Sequence, residues 1–162
     1  MFNKKLELIF ILMIILAIAV LYNNYTSTKN FKNNPISSQY TELINQKEQE
    51  ILSSMKRHYG FSFQVPLVVT DRFKGGLYGA TTYKNGEITI YLNKNVMQES
   101  MDYMVDSVIA HEYAHALMFK QGLNTTRDGH SFKWRDICIN LGAKNCERYV
   151  DVNEVVMGKM PF

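Results

Sequence analysis

The apolar residues of this 162-residue chain follow one pattern near the amino terminus and a different one in the rest of the sequence. Between Leu6 and Tyr22 the run is apolar throughout, with Glu7 as the single exception. At about 1.5 Å per residue, a helix over this run reaches roughly 25 Å, close to the thickness of the hydrocarbon core of a bilayer. We therefore predict that residues 1–22 form a membrane-spanning segment.

The same apolar run has a second interpretation, a secretory signal peptide that is removed from the mature protein. Ala17-Ile18-Ala19 offers the small-x-small pattern at which such peptides are cut. The chain stays apolar through Val20-Leu21-Tyr22 after that point, and the pattern therefore favours an uncleaved single-pass anchor. Lys4 and Lys5 before the run favour a cytoplasmic amino terminus, whereas Lys29 and Lys32 after it oppose that orientation. On the first pair, we expect the rest of the chain to lie outside the cytoplasm.

Beyond residue 22 the apolar residues become periodic. Residues 23–37 are rich in Asn, Ser and Thr, which is typical of a linker. A helix is predicted from Ser38 to about Tyr59, with Ser38 as its amino-terminal cap. Three strand-like runs follow, and the Asn85-Gly86 pair between the last two indicates a hairpin. These runs are Phe61–Thr70, Leu77–Tyr83 and Glu87–Leu92.

Two more helices and a tail complete the pattern. A long helix is predicted over about 97–121, where a following glycine ends it. A second helix begins at His130 and stops before Gly142. The tail, residues 147–162, fits either a short strand or an extended segment that wraps the core. We therefore predict a single domain over residues 38–162.

Composition and charge narrow the class of protein. An apolar content of 46% and a charged content of 20% are typical of a folded protein. The net charge of +3 comes from the amino-terminal lysines, because from residue 36 onward 14 Lys and Arg face 14 Asp and Glu. A neutral domain lacks the basic surface that duplex binding usually needs, so nucleic acid is not indicated as a partner. Nothing in the sequence indicates an oligomeric state.

The two cysteines exclude a zinc ribbon. Cys138 and Cys146 are not spaced as Cys-x-x-Cys, and a ribbon needs four ligands. They fit either one buried and one partly exposed thiol, or a disulfide bond in an oxidising compartment.

The predicted long helix carries the strongest chemical signal, a His-Glu-x-x-His motif at positions 111–115. Residues i and i+4 lie on the same face of a helix, so His111 and His115 could bind one metal ion together. Glu112 lies beside that pair, where a carboxylate could take a proton from metal-bound water. The flanking residues are apolar, and burying two histidines and a carboxylate without partners is costly. A bound metal would remove that cost.

A catalytic zinc ion usually has three protein ligands and leaves its fourth position to water. His130 is predicted to be the third ligand, because a short loop would bring it back opposite the first pair. Glu147 and Glu154 are the alternatives. The sequence leaves open which residue stabilises the oxyanion and which one orients a ligand histidine. The candidates are Tyr83, Tyr113, Arg127 and Tyr149 for the first role, and Asp128 or Asp136 for the second.

These residues resemble those of the SprT-like metallopeptidases, the family to which Spartan belongs. The resemblance covers roughly residues 77–149, and its motifs are His111-Glu112-Tyr113-Ala114-His115-Ala116-Leu117, Asp128-Gly129-His130-Ser131-Phe132-Lys133-Trp134 and Leu141-Gly142. It implies a compact α+β zincin-type domain with a small antiparallel sheet packed on the active-site helix. It also implies that His111, His115 and His130 are zinc ligands and that Glu112 is the general base.

The chain departs from the family pattern at three points. Ser131 stands where the family usually has Gly. The Cys-rich zinc ribbon that follows the domain in many members is missing, and the membrane segment is foreign to the DNA-associated members. The resemblance therefore implies the metal chemistry, but not the cleavage of proteins crosslinked to DNA.

The function expected from the sequence is that of a zinc-dependent metalloendopeptidase with a protein or peptide substrate, held at a membrane by its amino-terminal segment. Zn²⁺ is the expected cofactor. One alternative is a non-catalytic, membrane-tethered binding or scaffold protein that zinc stabilises, and another is a DNA-associated protease. Glu112 argues against the first, since a structural zinc site has no use for that carboxylate. The neutral charge of the domain argues against the second.

Overall fold

The computed structural model describes residues 4–73, 76–123 and 129–147. The chain divides into two compact units, Met1–Pro35 and Ile36–Phe162. The second unit has the element order helix, three strands, then helices, which confirms the predicted α+β class. The predicted tail over residues 147–162 lies almost wholly outside the described residues, so its two alternatives stay open.

The first unit is one long helix, α1 (Lys4–Asn33), whose apolar side chains are exposed. It is long and apolar enough to cross a membrane, and a signal sequence near the amino terminus shares both properties. The helix continues through most of the stretch predicted as a linker. No Gly or Pro interrupts the chain before Pro35, and the Thr26 hydroxyl donates to the carbonyl of Tyr22 at 3.0 Å.

Helix α2 (Ser38–Tyr59) opens the second unit and is capped one residue earlier than predicted. Ser37 is the cap, and its hydroxyl accepts a hydrogen bond from the Tyr40 amide at 3.3 Å. Gly60 ends the helix in the left-handed conformation, with φ of 79°. The buried face of α2 packs against α4 and α5.

The sheet is mixed rather than wholly antiparallel. Its strands are β1 (Leu67–Thr70), β2 (Gly79–Lys84) and β3 (Glu87–Asn93), in the order β1-β3-β2. β2 and β3 form the predicted antiparallel hairpin about Asn85-Gly86, both with positive φ. The remaining edge of β3 is taken by β1, which precedes β2 in the chain and pairs with β3 in parallel. Of the predicted run over residues 61–70, only the part after Pro66 pairs, since proline cannot donate to a ladder.

The predicted long helix is divided into three parts. Helix α3 (Lys94–Tyr103) contains a kink at Ser100, a π-helical turn spans Met104–Val108, and helix α4 (Ile109–Lys120) follows. Helix α4 is buried along most of its length and packs on β2 and β3, as predicted for the active-site helix. The largest fully buried side chains of the core are Tyr113, Trp134, Ile51, Met55, Ile90, Leu92, Met97, Met101, Met104, Ile109, Leu117 and Met118.

Helix α5 (Phe132–Asn140) begins two residues later than predicted and packs on α4. Ser131 is its cap, and the serine hydroxyl accepts a hydrogen bond from the Trp134 amide at 3.2 Å. After the helix, Cys138 and Cys146 form a disulfide bond, one of the two alternatives that the sequence left open. Their Cα atoms are 5.9 Å apart, within the range that such a bond requires.

Candidate metal centre

Three histidines converge where α4 meets the start of α5. The Nε2 atom of His130 lies 3.2 Å from Nε2 of His111 and 3.2 Å from Nε2 of His115. Helix α4 supplies two of these rings one turn apart, and His130 stands just before the cap of α5. The predicted ligands are therefore brought together, and they form the one group of at least three potential metal-binding side chains found among the described residues.

The donor set fits a zinc ion. Tetrahedral zinc with bonds of about 2.0–2.1 Å holds its nitrogen ligands roughly 3.3 Å from one another. Two of the nitrogen–nitrogen distances are 3.2 Å, so the rings already stand at this spacing. Burial is the main cause that lowers the pKa of His111 to about 3 and of His115 to about 4, and the neighbouring imidazoles lower both further. Neutral imidazoles carry the free lone pair that a metal binds.

One aromatic side chain, Trp134, contacts all three histidines. Its ring centroid lies 4.6 Å from that of His111, 5.3 Å from that of His115 and 4.5 Å from that of His130. The His115 ring is stacked on the indole at 26°, and the other two meet it at steep angles. The sequence analysis placed Trp134 in a motif of the family resemblance and gave it no role at the metal site.

Glu112 points toward strand β2 and is 5% exposed. The Thr81 hydroxyl lies 2.7 Å from Oε2 of Glu112 and 2.9 Å from the Glu112 carbonyl oxygen, and its single proton can be donated to either acceptor. Burial raises the pKa of Glu112 to about 7, although the hydrogen bond from Thr81 opposes that shift. A carboxyl group with such a pKa can exchange a proton near neutral pH.

Strand β2 approaches Glu112 so closely that residue 79 has no room for a side chain. A Cβ atom on Gly79 would lie 2.8 Å from Oε1 of Glu112 and 3.1 Å from Cγ1 of Val108. Gly79 and Thr81 were both missed by the sequence analysis. A glycine within a strand does signal close approach of another group, but the sequence alone did not identify that group as Glu112.

The other candidates have different positions. The Tyr113 hydroxyl faces the core, where it donates to the Glu48 carboxylate and accepts from the Val65 amide at 3.2 Å. Tyr83 is 56% exposed and stacks on Phe119, with ring centroids 5.5 Å apart. Glu147 and Asp136 are exposed side chains outside the histidine group. The remaining candidates, Arg127, Asp128, Tyr149 and Glu154, lie outside the described residues.

The domain is an α+β fold in which a small sheet packs on α4 and three histidines converge, two from α4 and one from the residue before the cap of α5. The model of the SprT-like family matches residues 40–154, so this chain belongs to the SprT-like family. Zinc metallopeptidase chemistry is a general property of that family. Neither the curated proteins nor the solved structures gave a significant match to the chain.

Proposed function

We propose that this protein is a zinc metalloendopeptidase that hydrolyses peptide bonds with a metal-activated water. The convergence of three histidines, with Nε2 of His130 3.2 Å from Nε2 of both His111 and His115, is the observation that carries the proposal. Family membership supports it, and so does the buried carboxyl group of Glu112, the residue that follows His111 in the chain.

In this proposal the three histidines hold the zinc ion and Glu112 is the general base. Zinc bound there would lower the pKa of a water ligand to about 7 and polarise the scissile carbonyl. With zinc bound, Glu112 would accept a proton from the attacking water and would later deliver it to the leaving amine. Thr81 orients the carboxylate before the reaction, because its hydroxyl is within hydrogen-bonding distance of Oε2.

Strand β2 is the proposed support for the substrate backbone. Among the described residues β2 pairs with β3 alone, so its second edge can accept an added strand. The strand runs alongside α4: Gly79 lies against Glu112, and Tyr83 reaches Phe119 one turn beyond His115. An extended peptide on this edge would therefore pass beside the histidines.

We also propose that α1 anchors the protein in a membrane with the catalytic domain outside the cytoplasm. Helix α1 has the length and hydropathy for this role, and the Cys138–Cys146 disulfide is typical of an oxidising compartment. In intact cells, a membrane-impermeant thiol reagent added after reduction should label Cys146, which is partly exposed, whereas Cys138 is buried. A Cys146 thiol that stays unlabelled until the cells are lysed would place the domain inside, and a mature chain lacking residues 1–19 would indicate a signal peptide.

The Glu112→Gln variant tests the catalytic proposal. We expect it to bind zinc with wild-type stoichiometry and to lose peptide hydrolysis by at least about 100-fold, because the amide cannot accept the proton. Zinc content and cleavage of an unstructured protein are the measurements. Glu42→Gln, an exposed substitution on α2, is the matched control and should retain full activity.

Two outcomes would favour the alternatives. Wild-type protein that binds zinc, unfolds on chelation and cleaves nothing would be a zinc-stabilised scaffold. Salt-sensitive DNA binding by the protein would favour a DNA-associated protease. If Glu112→Gln keeps full hydrolysis, Glu112 is not the base.

A further inference from the structure

The indole of Trp134 is placed so that one side chain touches every histidine of the candidate metal centre. Trp134 is the single tryptophan of the chain, it is 2% exposed, and its ring centroid lies within 5.3 Å of all three imidazole centroids. Its neighbour Phe132, also on α5, is 89% exposed. Helix α5 therefore directs the indole inward and leaves a comparable aromatic ring in solvent.

The direction of Trp134 is fixed at the start of α5. His130 lies four residues before it, and the Ser131 hydroxyl between them caps the helix by accepting from the Trp134 amide at 3.2 Å. This cap fixes the first turn of the helix, and with it the relation between the His130 and Trp134 side chains. Packing of α5 on α4 then brings the same indole against the two histidines of α4.

Histidine ligands normally need a partner that fixes the rotation of each ring. In most metal sites this partner is a carboxylate or carbonyl that binds the other ring nitrogen. Within the described part of the chain, the hydrogen-bonding contacts of the His111 and His115 rings are to His130 alone. Those two rings therefore pack against Trp134, and this contact takes the place of the usual hydrogen bond to a carboxylate or carbonyl.

The polar group of the indole is not used for this purpose. The Nε1 atom of Trp134 is buried without a hydrogen-bond partner among the described residues. A buried donor without an acceptor is unfavourable, so the N–H group gives no reason for a tryptophan at this position. The large, flat ring gives one, because it contacts three imidazoles at once.

We propose that Trp134 is a positioning residue of the metal centre, whose ring holds the three imidazoles in the orientations that bind zinc. This inference rests on the proposed zinc site. Loss of the ring should weaken zinc binding while the ligands themselves remain, and an aromatic ring of smaller size should preserve much of the effect.

Zinc affinity of the full-length protein, measured by chelator competition, tests the inference. We expect Trp134→Leu to weaken zinc binding by about 10–100-fold, the range found when groups that orient metal ligands are removed. Trp134→Phe should lose less than about fivefold, as a ring remains. Ile137→Ala, an equally buried change on the same helix, should lower the melting temperature but leave zinc affinity unchanged.

Two spectroscopic readouts separate positioning from a purely structural role. With Co²⁺ as the probe, Trp134→Leu should change the visible absorption of the tetrahedral complex, whereas Ile137→Ala should not. In the wild-type protein, the fluorescence emission of Trp134 should change on addition of zinc and saturate when the site is full. This measurement does not depend on whether a variant folds. Unchanged emission would overturn the inference.

The outcomes distinguish this inference from the proposed function. Wild-type zinc affinity and an unaltered Co²⁺ spectrum in Trp134→Leu would overturn the positioning role alone. A wild-type protein that binds neither zinc nor Co²⁺ would overturn the proposed function, and the inference with it.

Discussion

Two neighbouring faces of α4 carry the candidate chemistry, and they are built from different parts of the chain. The face with His111 and His115 meets His130 and Trp134, which follow shortly after in the sequence. The face with Glu112 meets Gly79 and Thr81 on strand β2, about 30 residues earlier. The proposed metal binding and the proposed proton transfer therefore depend on separate contacts, and substitutions can test them separately.

The largest effect should come from the histidine face. His130→Ala removes one of three ligands and should weaken zinc binding by more than about 100-fold, beyond the loss from an orienting group. Peptide hydrolysis should disappear with the metal. Zinc stoichiometry after dialysis measures the change, and His58→Ala, which removes the exposed fourth histidine on α2, is the control. Unchanged zinc content in His130→Ala would indicate Glu147 or Glu154 as the third ligand.

The difference between the two faces also explains what could be predicted from the sequence. His111 and His115 are one helical turn apart, so their meeting follows from helix geometry alone. His130 requires a loop and a second helix, which short sequence separation made predictable. By contrast, the contacts of Glu112 with Gly79 and Thr81 depend on how the sheet packs against α4. No local pattern specifies that packing, and the parallel pairing of β1 with β3 was missed for the same reason.

Apart from the carboxyl end of α1, the outer helix boundaries were predictable to within a few residues, and the deviations have local causes. Ser37 caps α2 instead of the predicted Ser38, and the two adjacent serines have the same ability to accept a hydrogen bond from an amide of the first turn. Helix α5 starts after Ser131 rather than at His130, which leaves His130 free of helical geometry. The extension of α1 beyond residue 22 shows that polar residues alone do not stop a helix.

A smaller effect, confined to the other face, is expected for Gly79→Ala. The added methyl group would lie 2.8 Å from Oε1 of Glu112, and so the carboxylate or the strand must move. A displacement of about 1 Å in a catalytic group costs roughly 100-fold in rate, so hydrolysis should fall by that order. Zinc affinity should stay near wild type, because no histidine is touched.

Gly76→Ala is the matched control for this change. A Cβ atom at Gly76 meets nothing within 4 Å, so the variant should keep both activity and zinc affinity. If Gly79→Ala instead lost zinc in proportion to activity, the two faces of α4 would not be separable.

The smallest effect, and the sharpest test of the comparison, is expected for the Thr81 hydroxyl. Thr81→Val keeps the shape of the side chain and removes the donor to Glu112, while Thr81→Ser keeps the donor. A hydrogen bond to a charged group contributes about 1.5–3 kcal/mol, so the valine variant should lose at least about tenfold in kcat. The serine variant should stay within about threefold of wild type, since its hydroxyl can reach the same oxygen.

KM should change little, because the hydroxyl contacts Glu112 rather than a bound peptide, and zinc affinity should be equal in all three proteins. Equal kcat for valine and serine would show that Glu112 is positioned by the close packing at Gly79 alone.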